Sequence, residues 1–336
     1  MDEKGNLMDR MVIDCELVSG TIVDFIREKM LDEGRDGLSL GISGGVDSAV
    51  TAFLAVRSLD DPSDLHGLNL YDRDSQGKFR NYADMLSKTL GITYRANDIS
   101  PSIRDQGTYK PTIMRLIPYS RILNEIILFS NKVGSRLFYG ESPFVVTLKR
   151  ENPSKMRFGM VAGIAKDIEN SFDARHVQRR KILEEYSEEN NLLLLGAANR
   201  SESFVGWFVK DGVDDLPNET LLGLYKNQVR QLARYLGVPD YILGETPSPD
   251  MFKGICDEEI IGHSYDTIDR VAYVVENDLP ESVAFQDGIS PKEFNQIKRL
   301  HELSAWKRAS EHDYPSIEPL VQLTSHAQAP AAAVEG

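Results

Sequence analysis

The chain has 336 residues, with 38 Lys plus Arg against 52 Asp plus Glu and a formal net charge of −14. A composition of 41% hydrophobic and 27% charged residues supports a packed core and excludes global disorder. The acidic balance argues against nucleic acid as a partner, since a phosphate backbone needs a cationic surface, and no apolar run is long enough for a membrane-spanning helix.

Residues 1–10 are polar, with no apolar run behind a basic start, so no secretory signal is expected. Residues 15–34 read as an amphipathic helix, with Leu17, Ile22, Phe25, Ile26 and Met30 at helical spacing and Gly34 at the stop. Residues 38–42 are a short apolar strand, 46–59 a helix, 65–71 a second strand, 82–90 a helix and 92–99 a third strand. The alternation resumes with a helix over 177–190, a buried strand at the four leucines 192–195 and a helix over 224–236. Strands alternating with helices predict an α/β fold, a doubly wound parallel sheet with helices on both faces. Between 102 and 170 the pattern breaks; 113–133 looks helical, 144–148 reads as a strand, and the stretch is taken as an elaboration of the core sheet. After Asp257 the chain is mostly helical and forms a C-terminal lobe. The segment 324–336, rich in Ala, Gln and Pro, is expected to be a disordered tail on a single domain spanning 1–320. Cys15 and Cys256 have no metal-type spacing and are expected to be reduced, buried small hydrophobes, as in a cytoplasmic protein.

The most specific signal is Ser43-Gly44-Gly45-Val46-Asp47-Ser48, which follows the first strand and opens a helix. Glycines allow close backbone approach, and a helix start offers free amides and a positive dipole end, which together bind phosphate. Ser43 and Ser48 add hydroxyls. Asp47 would repel phosphate without an intervening cation, which points to Mg²⁺. No Lys-Ser or Lys-Thr follows the glycines, so this is not a Walker loop.

The string resembles the pyrophosphate loop of the ATP pyrophosphatase superfamily, whose members adenylate a carboxylate or a base carbonyl with ATP. The resemblance implies an adenine nucleotide alpha hydrolase-like fold. Further strings are similar to NAD synthetases. Gly196-Ala197-Ala198-Asn199-Arg200-Ser201-Glu202 resembles the segment whose Glu holds Mg²⁺, which implies a metal site at Asp47 and Glu202. Leu224-Tyr225-Lys226-Asn227-Gln228-Val229 resembles the helix start whose lysine reaches the ATP phosphates, so Lys226 with Asp47 is expected to be catalytic. Ser248-Pro249-Asp250 resembles a turn that contacts ATP through its hydroxyl. Asp257-Glu258, Gly262-His263-Ser264-Tyr265, Ile268-Asp269 and Ser304-Ala305-Trp306-Lys307-Arg308 continue the likeness. The ATP site therefore comprises Ser43, Gly44, Gly45, Val46, Asp47, Ser48, Lys226 and Ser248.

The departures fall on the second-substrate half. Where the family has Gly-Asp-Gly-Gly-x-Asp, this chain reads Gly212-Val213-Asp214-Asp215-Leu216-Pro217, with Pro217 at the final Asp. Trp306 replaces a His, and the Ala-Arg-x-Arg segment is matched only as Ala174-Arg175 or Arg179-Arg180; on the ATP side, Ala197 replaces a Thr that in the family contacts ATP. By resemblance, Arg175, Arg179, Lys210, Trp306 and Lys307 would hold the second substrate. The expected function is an AMP- and pyrophosphate-forming ligase that amidates a carboxylic acid with ammonia or an amine. Its acid is either one other than deamido-NAD, the reading the departures favour, or deamido-NAD itself through Asp214 or Asp215. The implied partners are free ammonia, or ammonia from a separate supplying chain, and a second copy in a homodimer. No glutaminase signature is recognised. A sulfur-transfer enzyme and an ATP-binding pseudoenzyme are the other readings; the net charge and the lack of a Cys-x-x-Cys weigh against the first, and the retained Asp47, Glu202 and Lys226 against the second. His263 is expected to be a helix-cap neighbour and Trp207 a packing residue.

Overall fold

A computed structural model describes residues 6–111, 141–149, 159–248 and 255–317, with Arg115, Val133 and Leu137; residues 159–166 are described by backbone alone. Five strands, β1 (Gly37–Gly41), β2 (Leu65–Tyr71), β3 (Thr93–Asp98), β4 (Leu192–Asn199) and β5 (Glu219–Leu221), form one sheet in the order β3-β2-β1-β4-β5. Every pairing is parallel, with Leu38 opposite Leu65 on one side and Leu193 on the other. The chain thus winds outward from β1 in one direction and then in the other, the doubly wound α/β arrangement expected from the sequence.

Successive residues of β4 feed opposite faces, as the pleat demands. Leu193 and Leu195 join Ile22, Ile26, Val50, Leu54, Val229 and Leu232, from the helices Cys15–Asp32, Val46–Ser58 and Lys226–Leu236. Leu194 packs on the other face with Leu68, Leu70, Leu183 and Ile103, under the long helix Gly159–Glu189. Gly37 is required at the first position of β1, because a Cβ there would lie 2.5 Å from the Asp64 carbonyl. A third apolar cluster, with Tyr265, Ile268, Phe294, Ile297 and Leu300, forms the helical lobe. Among the described residues no helix is long and apolar enough to cross a membrane.

Several expectations need correction. Residues 144–148 are not a strand but the helix Pro143–Leu148. The Ser142 hydroxyl accepts from the Val145 amide at 3.3 Å and Pro143 sits in the first turn, so the start is capped and preset for helix. Phe144 and Leu148, four residues apart, then bury together in the lobe. The helix expected from 177 begins at Gly159 and absorbs the end of the proposed elaboration. The helix expected from 82 starts at Gly77, and β5 was not foreseen. The helical look of 113–133 and the tail 324–336 lie outside the described residues, apart from Arg115 and Val133. Cys15 and Cys256 are half-buried and free.

Candidate active site

In a doubly wound sheet, ligands bind at the carboxyl ends of the strands where the winding reverses. Here that point lies between β1 and β4. The chain leaves β1 into the 43–48 loop and enters the helix Val46–Ser58. Gly44 has φ +88° and a Cβ there would meet the Phe79 carbonyl at 2.2 Å, so only glycine fits. The loop is wired to itself. The Ser43 amide donates to Ser48 Oγ at 3.3 Å, the two hydroxyls are 3.1 Å apart, and Ser48 Oγ donates to the Gly45 carbonyl at 3.1 Å. No side chain caps the helix start, so its first amides face the cleft with the positive dipole end behind them.

Asp47 projects from the first turn of that helix. β4 ends at Asn199, whose Oδ1 accepts from the Glu202 amide at 3.1 Å while its Nδ2 donates to Asp47 Oδ1 at 3.1 Å. Lys226, first residue of its helix and 1% exposed, donates from Nζ to Asp47 Oδ2 at 2.6 Å and to Glu202 Oε1 at 2.9 Å. The Tyr265 hydroxyl lies 3.2 Å from Glu202 Oε1 and 3.1 Å from Asp257 Oδ2. Buried Asp269 holds the base of the cluster. It accepts from the Ser201 hydroxyl and, at 2.9 Å, from the Asn227 amide, while Ser201 Oγ accepts from the Lys226 amide at 2.7 Å.

Three carboxylates thus surround one ammonium. Burial pushes Glu202 up to about 7 against the pull of Lys226, and Asp257 up to about 6. Burial alone would depress the Lys226 pKa; Asp47 and Glu202 outweigh it and hold it above the ordinary lysine value. The surplus negative charge, converging beside the 43–48 loop, fits Mg²⁺, which takes one or two protein carboxylates and completes its shell with phosphate oxygens and water. No group of three His, Cys, Asp or Glu side chains suited to a metal occurs among the described residues.

A continuous cleft of about 1090 Å³ runs from this cluster across the sheet edge. Apart from Gly44, whose backbone forms the loop, Ser43, Gly45, Val46, Asp47, Ser48, Lys226 and Ser248 line one end. Trp306 and Lys307 line the other, with Phe172, His176, Lys210 and Asp214; Trp207 stands between, its side chain hydrogen-bonded to Asp257 beside Lys226. Phe172 stacks on His176 at 4.6 Å and approaches Trp207 at 5.9 Å. Trp207 is edge-on to Phe144, so it packs and lines the cleft at once. Lys307 Nζ donates to the Gly206 carbonyl at 2.9 Å and to the Phe208 carbonyl, and burial lowers its pKa to about 8. The Trp306 indole donates to the Leu148 carbonyl at 3.0 Å.

The two arginines differ. Arg179 lines the cleft, tethered to the Leu70 carbonyl at 2.9 Å and Asp72 at 3.0 Å. Arg175 is 1% exposed, pairs with Asp74 at 2.6 Å and does not line the cleft. Of the two acidic loop residues, Asp214 faces the cleft, its Oδ2 2.6 Å from His176 Nδ1, while Asp215 is buried behind it. Pro217 is exposed and outside the cleft. His263 lies 3.5 Å from Glu293, away from the cluster. Sequence reasoning assigned no role to Asn199, Asp257 and Tyr265, although all three stand in the strings it quoted. It gave no sign of His176.

Fold and cluster together define a pyrophosphate-loop ATP-utilising enzyme, a carbon–nitrogen ligase of the AMP-forming amide synthase class. The family model for NAD synthase matches residues 18–114 and 160–311, and the chain belongs to that family. An NH(3)-dependent NAD(+) synthetase of Coprothermobacter proteolyticus is 34% identical over 252 residues, 74% of this chain and 81% of that protein. One of Thermotoga maritima is 31% identical over 284 residues, covering 84% of this chain and 94% of that protein. Among solved structures, the NMN synthetase of Francisella tularensis superposes with a TM-score of 0.63 at 22% identity, covering 90% of this chain and 99% of that one. The NH3-dependent NAD synthetase of Campylobacter jejuni gives 0.60 at 19%, with the same coverage.

Proposed function

We propose that this chain is an ammonia-dependent NAD synthetase, converting deamido-NAD to NAD. The names of the relatives that match along most of the chain support this over a different acid, the reading the loop departures favoured. The observation that carries the chemistry is the single cleft joining the 43–48 loop to an aromatic and cationic far end. At about 1090 Å³ it lies at the top of the range of a ligand pocket, about 300–1,000 Å³.

The loop amides and hydroxyls take the β and γ phosphates. The substrate carboxylate attacks the α phosphorus, forming an acyl-adenylate and expelling pyrophosphate. Lys226, fixed by Asp47 and Glu202, meets the charge that grows on the leaving group without having to reorganise. Ammonia then attacks the acyl carbon; AMP leaves and the proton goes to solvent. Asp47 and Glu202 would hold Mg²⁺, which neutralises triphosphate charge when bound. At the far end the Phe172–His176 stack offers a face for a heteroaromatic ring, and Arg179, Lys210 and Lys307 offer charge for its phosphates. Orientation between the two ends supplies the rest of the rate. Ammonia from solution, a cytoplasmic location and a homodimer complete the proposal.

The test is product analysis with ATP, Mg²⁺ and nitrogen-15 ammonium. Deamido-NAD should yield NAD one mass unit heavy. Amidation of its mononucleotide half instead, or of neither, would overturn the substrate.

A further inference from the structure

The far end of the cleft is walled by the 210–217 loop, of which Lys210, Asp211, Val213, Asp214 and Leu216 face the cavity. The loop has no helix or strand of its own to hold it, and Asp211 sits at φ +61°, a left-handed turn position that Asp tolerates better than most L-residues. The restraint comes from behind. Asp215 is 3% exposed and does not line the cleft; its Oδ2 accepts from the Asp211 amide at 2.7 Å, closing the loop on itself. Its Oδ1 lies 2.8 Å from Nε2 of His312. Lys210 Nζ donates to Ser310 Oγ at 2.5 Å, and Ser310 Oγ reaches Asp215 Oδ2 at 3.4 Å. Arg180 donates to the Asp215 carbonyl at 2.6 Å.

His312 is itself anchored. The next residue, Asp313, donates its amide to the Pro217 carbonyl at 2.8 Å and accepts from the Glu219 amide at 2.9 Å, which lays the segment along the start of β5. Lys29 pairs with the Asp313 carboxylate at 2.6 Å, and Ile317 is fully buried in the sheet core. The C-terminal segment therefore forms a strap fixed at both ends, with His312 pressed onto the loop.

We propose that His312 is a positioning residue for the acid substrate: through Asp215 it fixes the 210–217 loop, and so the direction in which Lys210 and Asp214 meet that substrate. The proposal rests on the reading that this end of the cleft takes the acid. The groups facing His312 are Asp215, Glu219 and Lys210. The hydrogen bond to Asp215 raises the His312 pKa. Burial works against Asp215, yet the bonds from His312 and the Asp211 amide keep its pKa below the usual carboxylate value. Both shifts are those of a formed ion pair.

The experiment compares the full chain with His312→Ala, His312→Gln and Ser310→Ala. It reads steady-state KM for deamido-NAD and for ATP, and hydrogen exchange of the 207–217 segment without ligands. His312→Ala should raise KM for deamido-NAD by about tenfold and leave KM for ATP within about twofold, because only one end of the cleft is disturbed. Exchange in 207–217 should quicken while the 43–48 segment is unchanged. His312→Gln, which keeps a donor, should recover part of the loss. Ser310→Ala, which cuts the Lys210 tie and the long contact to Asp215 but keeps the His312–Asp215 pair, should give a smaller effect of the same kind and serves if His312→Ala does not fold. Equal changes in both KM values, or loop exchange as in the wild type, would overturn the proposal. If the wild type does not turn over deamido-NAD, the substrate reading fails by itself. Loop exchange then decides the strap: faster exchange in His312→Ala supports it and unchanged exchange refutes it.

Discussion

In the proposed reaction Lys226 is the residue on which the chemistry turns, and its surroundings make its removal costly in two ways. Lys226→Ala takes the ammonium from the leaving-group side and leaves Asp47, Glu202 and Asp257 facing one another. Turnover should fall by at least about a hundredfold, the scale of losing one electrostatic stabiliser. Stability should fall by about 3–5 kcal/mol, as when one partner of a buried ion cluster is deleted. AMP release and urea unfolding measure the two. Gly44→Ala acts differently: a Cβ at 2.2 Å from the Phe79 carbonyl and a φ of +88° oblige the loop to move. It should cost about 1–3 kcal/mol of stability and abolish ATP binding, read by unfolding and by calorimetric titration. These residues were legible because each sits in a local string whose chemistry is evident alone: a glycine turn before a helix, a carboxylate after a strand, a lysine at a helix start. Asp257 and Tyr265 were not assigned, since their role comes from packing against Glu202 across the lobe. His176 meets Asp214 only because the 210–217 loop folds back on the long helix, a contact no spacing announces.

Among the elements, the helix Pro143–Leu148 shows where local pattern misleads. Phe144 to Leu148 includes two valines and a threonine, a β-branched run that favours strand by propensity. Capping by Ser142, Pro143 in the first turn and the shared burial of Phe144 and Leu148 outweigh that preference. Ser142→Ala should cost about 1 kcal/mol, and Phe144→Ala about 3–5 kcal/mol with loss of the edge-on contact to Trp207. A thermal denaturation series checks the order; equal and negligible effects would mean that the helix contributes nothing to the lobe. β2 was read with its observed ends, as a short run rich in leucine after the Pro-Ser-Asp turn at 62–64. β5, three residues long, carries too little pattern to be read, and its place depends on the strap through Asp313 and on β4.

At the scale of the whole molecule, buried carboxyls set the response to pH. Glu219 accepts from the Ala198 and Leu216 amides at 2.8 and 2.9 Å, yet burial pushes it from 4.5 up to about 7. A raised carboxyl binds protons more tightly when folded, so its contribution is full below pH 4.5 and is lost as pH rises through about 7. Glu219→Gln should flatten the decline of unfolding free energy across that window; an unaltered slope would show that Glu219 titrates normally. The alternating pattern made the doubly wound sheet readable in outline. In the far half of the cleft the family likeness named Arg179, Lys210, Trp306 and Lys307, which line it, but not Phe172 or His176, because that wall is assembled from the long helix, a loop and a C-terminal segment that are distant in sequence.

The most direct test follows oxygen. Deamido-NAD labelled with oxygen-18 in its carboxylate is turned over with ATP and ammonium, and the nucleotide products are weighed. Attack on the α phosphorus predicts one labelled oxygen in AMP and none in pyrophosphate. Unlabelled AMP, or ADP with the label in inorganic phosphate, would contradict an adenylating ligase built around the 43–48 loop and Lys226.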